Sequence, residues 1–203
     1  MIAIIDYGMG NIHSVQKALE HFGARTRVIS RAQELDSCDK AVLPGVGAFC
    51  DAMKALQAAG LDAALQAYIK SKRPFLGICL GMQLLFSESQ EAPGTRGMGV
   101  LAGKVRRFDP DTGVKIPHMG WNRLRIVRRD CPIMQGVAEA SYVYFCHSYY
   151  PENQSAEQTA ASCEYGISFT SVVWQENVYG VQFHPEKSQA TGLKMLDNFV
   201  HLC

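Results

Sequence analysis

The sequence predicts an α/β fold: a single domain built on a central, mostly parallel or mixed open sheet flanked by helices, with antiparallel strands in its second half. Three observations predict it. Continuous apolar runs such as Ile2–Ile5 read as strands covered on both faces. Helix-period segments alternate with them through the first half, which is the pattern of a parallel sheet. Beyond residue 98 short strand-like runs separated by turn residues take over. A chain of 203 residues is long enough for one domain with its own core, and no composition break, repeat or low-complexity tract marks a linker.

The elements follow in order. Ile2–Ile5 ends in the glycine-rich turn Asp6-Tyr7-Gly8-Met9-Gly10. Asn11 is placed to cap a helix whose apolar face is Ile12, Val15, Leu19 and Phe22, with Gly23 as its stop. Thr26–Ile29 and Ala41–Leu43 are the next strands, and Ala52–Ala59 and Leu61–Lys70 carry helical patterns. Pro74-Phe75-Leu76 then leads into Gly77-Ile78-Cys79-Leu80-Gly81, and Met82–Phe86 reads as the helix that follows. In the second half, Gly99–Phe108, Arg123–Val127, Tyr142–Cys146, Thr159–Cys163, Ser171–Gln175 and Tyr179–Phe183 are the strand segments. The helix Gly192–Leu202 closes the chain.

Composition removes several function classes. The formal net charge is +1, which gives no electrostatic reason to expect a nucleic acid or an anionic membrane as partner. No apolar segment approaches the length of a membrane span, and nothing resembles a signal peptide. Seven cysteines at irregular spacings, with no zinc-type Cys-x-x-Cys pair, argue against both a metal site and a disulfide framework. Cys38, Cys50, Cys131, Cys146, Cys163 and Cys203 read as reduced thiols of a cytoplasmic protein. Gly8-Met9-Gly10-Asn11 lacks the spacing of a dinucleotide fingerprint, and no phosphate-cradling P-loop is present, so no cofactor is expected.

The chemistry centres on Cys79. A cysteine bracketed by glycines between a strand and a helix reads as a nucleophile elbow, the sulfur form of Gly-x-Ser-x-Gly. It sits at a helix N-terminus, where backbone N–H groups favour a thiolate. The pentapeptide alone fits a packed structural thiol equally well. A nucleophile of this kind needs a base, and the base needs an orienting group. His184-Pro185-Glu186, directly after the strand at Tyr179–Phe183, offers both, although the tripeptide alone is also a common surface turn. Of the other histidines, His21 and His201 fall on helical patterns, His13 stays in competition, and His118 and His147, in loop-like contexts, remain open. Pro44-Gly45-Val46-Gly47, at another strand end, suits an oxyanion hole or a tight turn. A Cys–His–Glu set with an oxyanion hole performs acyl transfer through a thioester.

At these residues the chain resembles the class I, triad-type glutamine amidotransferases. Gly77-Ile78-Cys79-Leu80-Gly81-Met82-Gln83, Pro44-Gly45-Val46-Gly47 and His184-Pro185-Glu186 match that family's motifs in its usual order, and the match spans residues 1–203 as one glutaminase domain. Asp6-Tyr7-Gly8-Met9-Gly10-Asn11, Pro117-His118-Met119-Gly120-Trp121-Asn122 and His184-Pro185-Glu186-Lys187-Ser188 are similar to the glutaminase subunits of imidazole glycerol phosphate synthases, which serve histidine biosynthesis. The resemblance implies Cys79, His184 and Glu186 as catalytic residues and Val46, Gly47 and Leu80 around the oxyanion. It implies Gln83, Glu91, Ser148 and Tyr149 as the glutamine-binding set, with Ser148 standing where the family pattern has threonine. It further implies a heterodimer with a (β/α)8-barrel cyclase, met through Asn11, Trp121 and Lys187, and no metal. A glutaminase serving an anthranilate-type synthase, a stand-alone cysteine hydrolase or peptidase, and a non-catalytic binding protein on the same scaffold are the competing readings.

Overall fold

The structure, a computed structural model, describes residues 1–153 and 155–203. Its main sheet has eight strands in the order β2-β1-β3-β4-β12-β11-β10-β7. These are β1 (Ile2–Ile5), β2 (Thr26–Ile29), β3 (Lys40–Gly45), β4 (Phe75–Cys79), β7 (Arg125–Ile126), β10 (Thr159–Tyr165), β11 (Ile167–Gln175) and β12 (Val178–Val181). β2, β1, β3, β4 and β12 run parallel, and β11, β10 and β7 add on antiparallel. Two separate ribbons complete the strands: β5 (Gly103–Arg107) with β9 (Tyr149–Asn153), and β6 (His118–Arg123) with β8 (Tyr142–His147). The helices are α1 (Ile12–His21), α2 (Phe49–Ala58), α3 (Leu61–Lys70), the single turn α4 (Leu80–Gln83) and α5 (Gln189–Leu202).

The apolar runs are explained by burial on two sides. Along β1 every residue is buried, with Ile2 and Ile4 in the core that α1 and α5 cover, and Ala3 and Ile5 in the core that α2 and α3 cover. β4 alternates in the same way: Leu76 and Ile78 face the first core and Phe75 the second. Central strands with no solvent face need no polar alternation, which is why they read as continuous hydrophobic runs. No helix among the described residues is long and apolar enough to cross a membrane.

Several sequence expectations are corrected. The helix expected over Met82–Phe86 ends at Gln83: Leu85 and Phe86 N–H close tighter i−3 bonds onto Met82 and Gln83, and the Leu84, Leu85 and Phe86 carbonyls accept from Met98, Gly99, Val100 and Leu101. The same docking shortens the expected Gly99–Phe108 strand to Gly103–Arg107. The stretch Arg123–Val127 is split between the end of β6 and β7, and β6 and β9 were not expected as strands. Asn11 precedes α1 without a side-chain cap bond; its carbonyl accepts from Val15 N–H at 3.2 Å.

The turn from β4 into α4 requires bare Cα atoms. A Cβ on Gly81 would lie 1.8 Å from the Leu43 carbonyl oxygen of β3, and one on Gly77 would lie 2.7 Å from the Gly81 oxygen. Both obstacles are backbone and cannot swing aside. Gly81→Ala is therefore expected to lower the unfolding free energy by at least about 2 kcal/mol, read as a fall in the urea midpoint, whereas alanine at the exposed, unobstructed Gly94 is expected to cost about 1 kcal/mol through its positive φ alone.

Candidate active site

Cys79 ends β4 and takes φ +55°, ψ −111°, a conformation that an L residue adopts only under constraint from its surroundings. The constraint is the close packing at Gly77 and Gly81, with β4 held between β3 and β12. The side chain is 6% exposed and opens on a cavity of about 360 Å³ at the carboxyl ends of the central strands. Open parallel sheets place sites at this edge.

His184 and Glu186 follow β12, the strand beside β4. His184 Nδ1 meets Glu186 Oε1 at 3.0 Å, with the Glu186 side chain almost sealed from solvent and its Oε2 without a partner. Since a carboxylate only accepts, Nδ1 carries the proton and Nε2 is the nitrogen left for other work. Burial pulls the imidazole pKa down, but the Cys79 sulfur and the Glu186 carboxylate outweigh it and push it up to about 10. The segment is pinned from behind. His184 N–H donates to the Tyr144 carbonyl of β8 at 3.0 Å, Ser188 Oγ donates to the His184 carbonyl at 2.6 Å, and Tyr144 N–H donates to Ser188 Oγ at 2.9 Å.

The structure brings most of the sequence-predicted residues to the same cavity. Val46, Gly47 and Leu80 line it beside Cys79 and His184. Gly47 has φ +96°, and its Cα faces the Met9 methyl group, so the turn after β3 packs on the loop after β1. Gln83, Glu91, Ser148 and Tyr149 line the cavity as well. Glu91 Oε2 accepts Phe49 N–H at the start of α2, at 2.9 Å, which satisfies an otherwise orphaned helix donor and fixes the carboxylate. Gln83 Nε2 donates to the Tyr149 carbonyl and to Gln182 Oε1, so only its own oxygen has capacity to spare.

The expected partner residues fall outside the cavity or at its rim. Lys187 is exposed at the rim. Asn11 starts α1 beyond the Asp6–Gly10 loop and does not line the cavity. Trp121, expected in a loop, lies on β6, 46% exposed, with its ring edge-on to Tyr144 at 6.0 Å between centroids. With Met119 and Tyr142 it gives the β6–β8 ribbon an apolar outer face.

The two histidines left open lie on the inner face of that ribbon, also on strands rather than loops. His118 Nδ1 and His147 Nε2 are 3.1 Å apart, and His147 Nδ1 is 2.8 Å from the Tyr149 carbonyl. That carbonyl makes His147 Nδ1 a donor, so His147 Nε2 accepts from His118 Nδ1, and His118 Nε2 in turn accepts from Asn122 Nδ2 at 3.3 Å. Burial pushes them down to about 4 and about 3 respectively. Both ring nitrogens of each are occupied, which leaves neither free to act as a base at Cys79. The remaining competitor, His13, is exposed on α1. Tyr144, Cys146, His147 and Pro117 also line the cavity, and Gln182 lies behind Cys79, at 0% exposure. Pro117 falls in the motif Pro117–Asn122 and His147 is one of the histidines left open, but no pattern marks Tyr144, Cys146 or Gln182 as site residues; the one available signal is a glutamine directly after an otherwise apolar strand.

Residues 3–203 match the family described as glutamine amidotransferase class-I. The chain is 50% identical over 204 residues to the imidazole glycerol phosphate synthase subunit HisH of Methanosarcina acetivorans, covering 100% of this chain and 98% of that relative. It is 48% identical to the subunit of the same name from Syntrophotalea carbinolica, covering 98% of each. Among solved structures, PurLQS from Thermotoga maritima superposes with a TM-score of 0.78 at 18% identity, over 98% of this chain and 96% of that one, which is a likeness of fold. A structure titled glutamine amidotransferase gives 0.75 at 18% identity, over 95% of both chains. Identity of this order over nearly the whole of both chains, with Cys79 and His184 lining one crevice and Glu186 bonded to His184, places the chain in the class I glutamine amidotransferase family, among the relatives of the HisH subunits of imidazole glycerol phosphate synthase.

Proposed function

We propose that the whole described chain is one glutaminase domain that hydrolyses glutamine through a thioester on Cys79. The observation that carries this reading is the placement of Cys79 and His184 on adjacent strand ends of one cavity, with His184 Nδ1 held from behind by Glu186 at 3.0 Å. The raised pKa of His184 favours an imidazolium facing a thiolate. The thiolate attacks the side-chain amide carbon of glutamine. Charge develops on the amide oxygen, where the Leu80 N–H at the start of α4 and the Val46–Gly47 turn supply donors. His184 gives its Nε2 proton to the departing nitrogen, and ammonia leaves. Water then attacks the thioester carbonyl as His184 takes its proton, and glutamate departs with Cys79 restored. Glu186 keeps its carboxylate on Nδ1 throughout, holding ring and tautomer. The fixed Glu91 carboxylate, Ser148, Tyr149 and the free oxygen of Gln83 hold the amino-acid end of the substrate.

Ammonia set free into water would be lost, and the relatives of this chain are named as subunits of a synthase. The acceptor reaction belongs to a partner, a (β/α)8-barrel cyclase that makes imidazole glycerol phosphate and aminoimidazole carboxamide ribotide in the cytoplasm. The names borne by the relatives support this acceptor over an anthranilate-type synthase. The apolar outer face of the β6–β8 ribbon, with Trp121 at its centre, is the proposed docking surface, with Lys187 and Asn11 as further expected contacts. Large aromatic anchors in such faces carry much of the affinity of an interface.

In the complex, Cys79→Ala is expected to abolish glutamine-dependent synthesis and to leave synthesis from added ammonium salt intact; loss of both would remove Cys79 from the thioester role. Trp121→Ala is expected to weaken assembly by about 2 kcal/mol, measured as a roughly thirtyfold rise in Kd by titration calorimetry. A third expectation concerns pH. A histidine whose pKa is raised on folding adds stability below its unfolded pKa, and that stability drains away as pH rises toward the folded value of about 10. Unfolding free energy should therefore fall between about pH 8.5, where an unfolded cysteine is already ionised, and about pH 10. Glu186→Gln, which removes the carboxylate from Nδ1, is expected to flatten that slope in urea titrations run across the interval.

A further inference from the structure

Gln182 is the last residue but one before the proposed base, wholly buried, and no part of the Cys–His–Glu set. Its side chain ends at Cys79, with Nε2 3.8 Å from Sγ, and at Gln83, with Oε1 3.1 Å from Nε2. Which end of a carboxamide faces which neighbour is settled here by a backbone group. The Tyr149 carbonyl can only accept, so the Gln83 atom 3.0 Å from it is the amide nitrogen. That nitrogen's second hydrogen points to Gln182, so the Gln182 atom it meets is the oxygen. The remaining end of Gln182, turned to the sulfur, is then N–H, and Cys79 Sγ receives a hydrogen bond. A donor at a buried sulfur stabilises its negative form, and reversing the amide would leave two donors facing each other. The orientation is held from further back as well, since the same Tyr149 carbonyl accepts from His147 Nδ1.

We propose that Gln182 is a positioning residue for the nucleophile: its carboxamide, locked by Gln83 and the Tyr149 carbonyl, donates to Cys79 Sγ, holds the side chain in its attacking rotamer and favours the thiolate. The proposal deepens the thioester reading and rests on it for its consequence in turnover, although the bond to sulfur can be read without any turnover. It also gives Gln83 a second task. A side chain that touches the substrate end of the cavity with its oxygen holds the nucleophile's donor with its nitrogen, so substrate recognition and thiolate stabilisation share one amide.

The test is the pH profile of alkylation at Cys79 by iodoacetamide, followed on the Cys79 peptide by mass spectrometry in the full chain. Gln182→Met keeps the volume and removes the donor, and Gln182→Glu keeps an acceptor toward Gln83 while presenting oxygen to the sulfur. In both, the midpoint of alkylation is expected to move up by about one to two pH units, the scale of one hydrogen bond to a charged group, with the plateau rate at high pH within about twofold of the parent. In the complex, kcat for glutamine is expected to fall by roughly tenfold or more while KM stays within about twofold. A purely structural role would lower the thermal midpoint and leave the alkylation midpoint in place. An unchanged alkylation midpoint in either folded variant overturns the proposal. If instead alkylation of Cys79 in the parent left glutamine turnover intact, the thioester reading would fall, and the shifted midpoint would still support the bond from Gln182.

Discussion

The site rests on a contact between two pieces of backbone. Gly81 lies against the Leu43 carbonyl of β3, and Gly77 lies against Gly81, closer than any side chain would allow. This lets β4 run into α4 with no intervening loop, and the geometry of so abrupt a reversal puts Cys79 at positive φ. The strained residue costs of order 1–3 kcal/mol and persists because β3 and β12 clamp the strand from both sides. Everything else in the cavity is measured from that turn. Leu80 N–H sits at the head of α4, Gln83 is one turn further on, and Gln182 and His184 arrive from the adjacent strand. A looser turn would lower the strain and lose the registration.

The proposed base is held by a different kind of constraint. His184 is not embedded in the sheet but tied to the β6–β8 ribbon, its N–H on the Tyr144 carbonyl and its own carbonyl on Ser188, which also takes the Tyr144 N–H. The proposed nucleophile therefore belongs to the central sheet, and the proposed base is tied to an element whose outer face is exposed and apolar. Anything that settles on that face presses on the strand from which the base hangs.

This division also explains what could be read in the sequence. The βα half is legible because each unit is local: Ile2–Ile5 and Phe75–Cys79 are apolar on both faces, and the helices between them keep their period. Cys79, Gly77, Gly81 and His184-Pro185-Glu186 were visible because the chemistry sits at the ends of those strands. The β6 strand hid because its polarity is inverted. His118 and Asn122 point inward and bond to one another, while Met119 and Trp121 point out, so a Pro/Gly-flanked stretch with no apolar alternation reads as a loop. α4 stops short of its expected length because the chain tightens to i−3 bonds at Leu85 and Phe86, where residues 98–101, remote by sequence pattern, dock on the carbonyls of residues 84–86. Gln182 carries no signal because a lone amide at the end of a buried strand has no pattern; only the Tyr149 carbonyl, fixed by the fold, shows which way it points.

The His118–His147 pair gives the ribbon its own chemistry of proton uptake. In the unfolded chain both rings would begin to bind protons near pH 6.5, whereas the folded protein refuses them until about pH 4 and about pH 3. At neutral pH the pair is electrically silent, an insulated strut between the outer face and the Tyr149 carbonyl. Acid makes each refused proton a force for opening that strut. The ribbon is thus loaded by acid, and the load falls on the element that anchors His184.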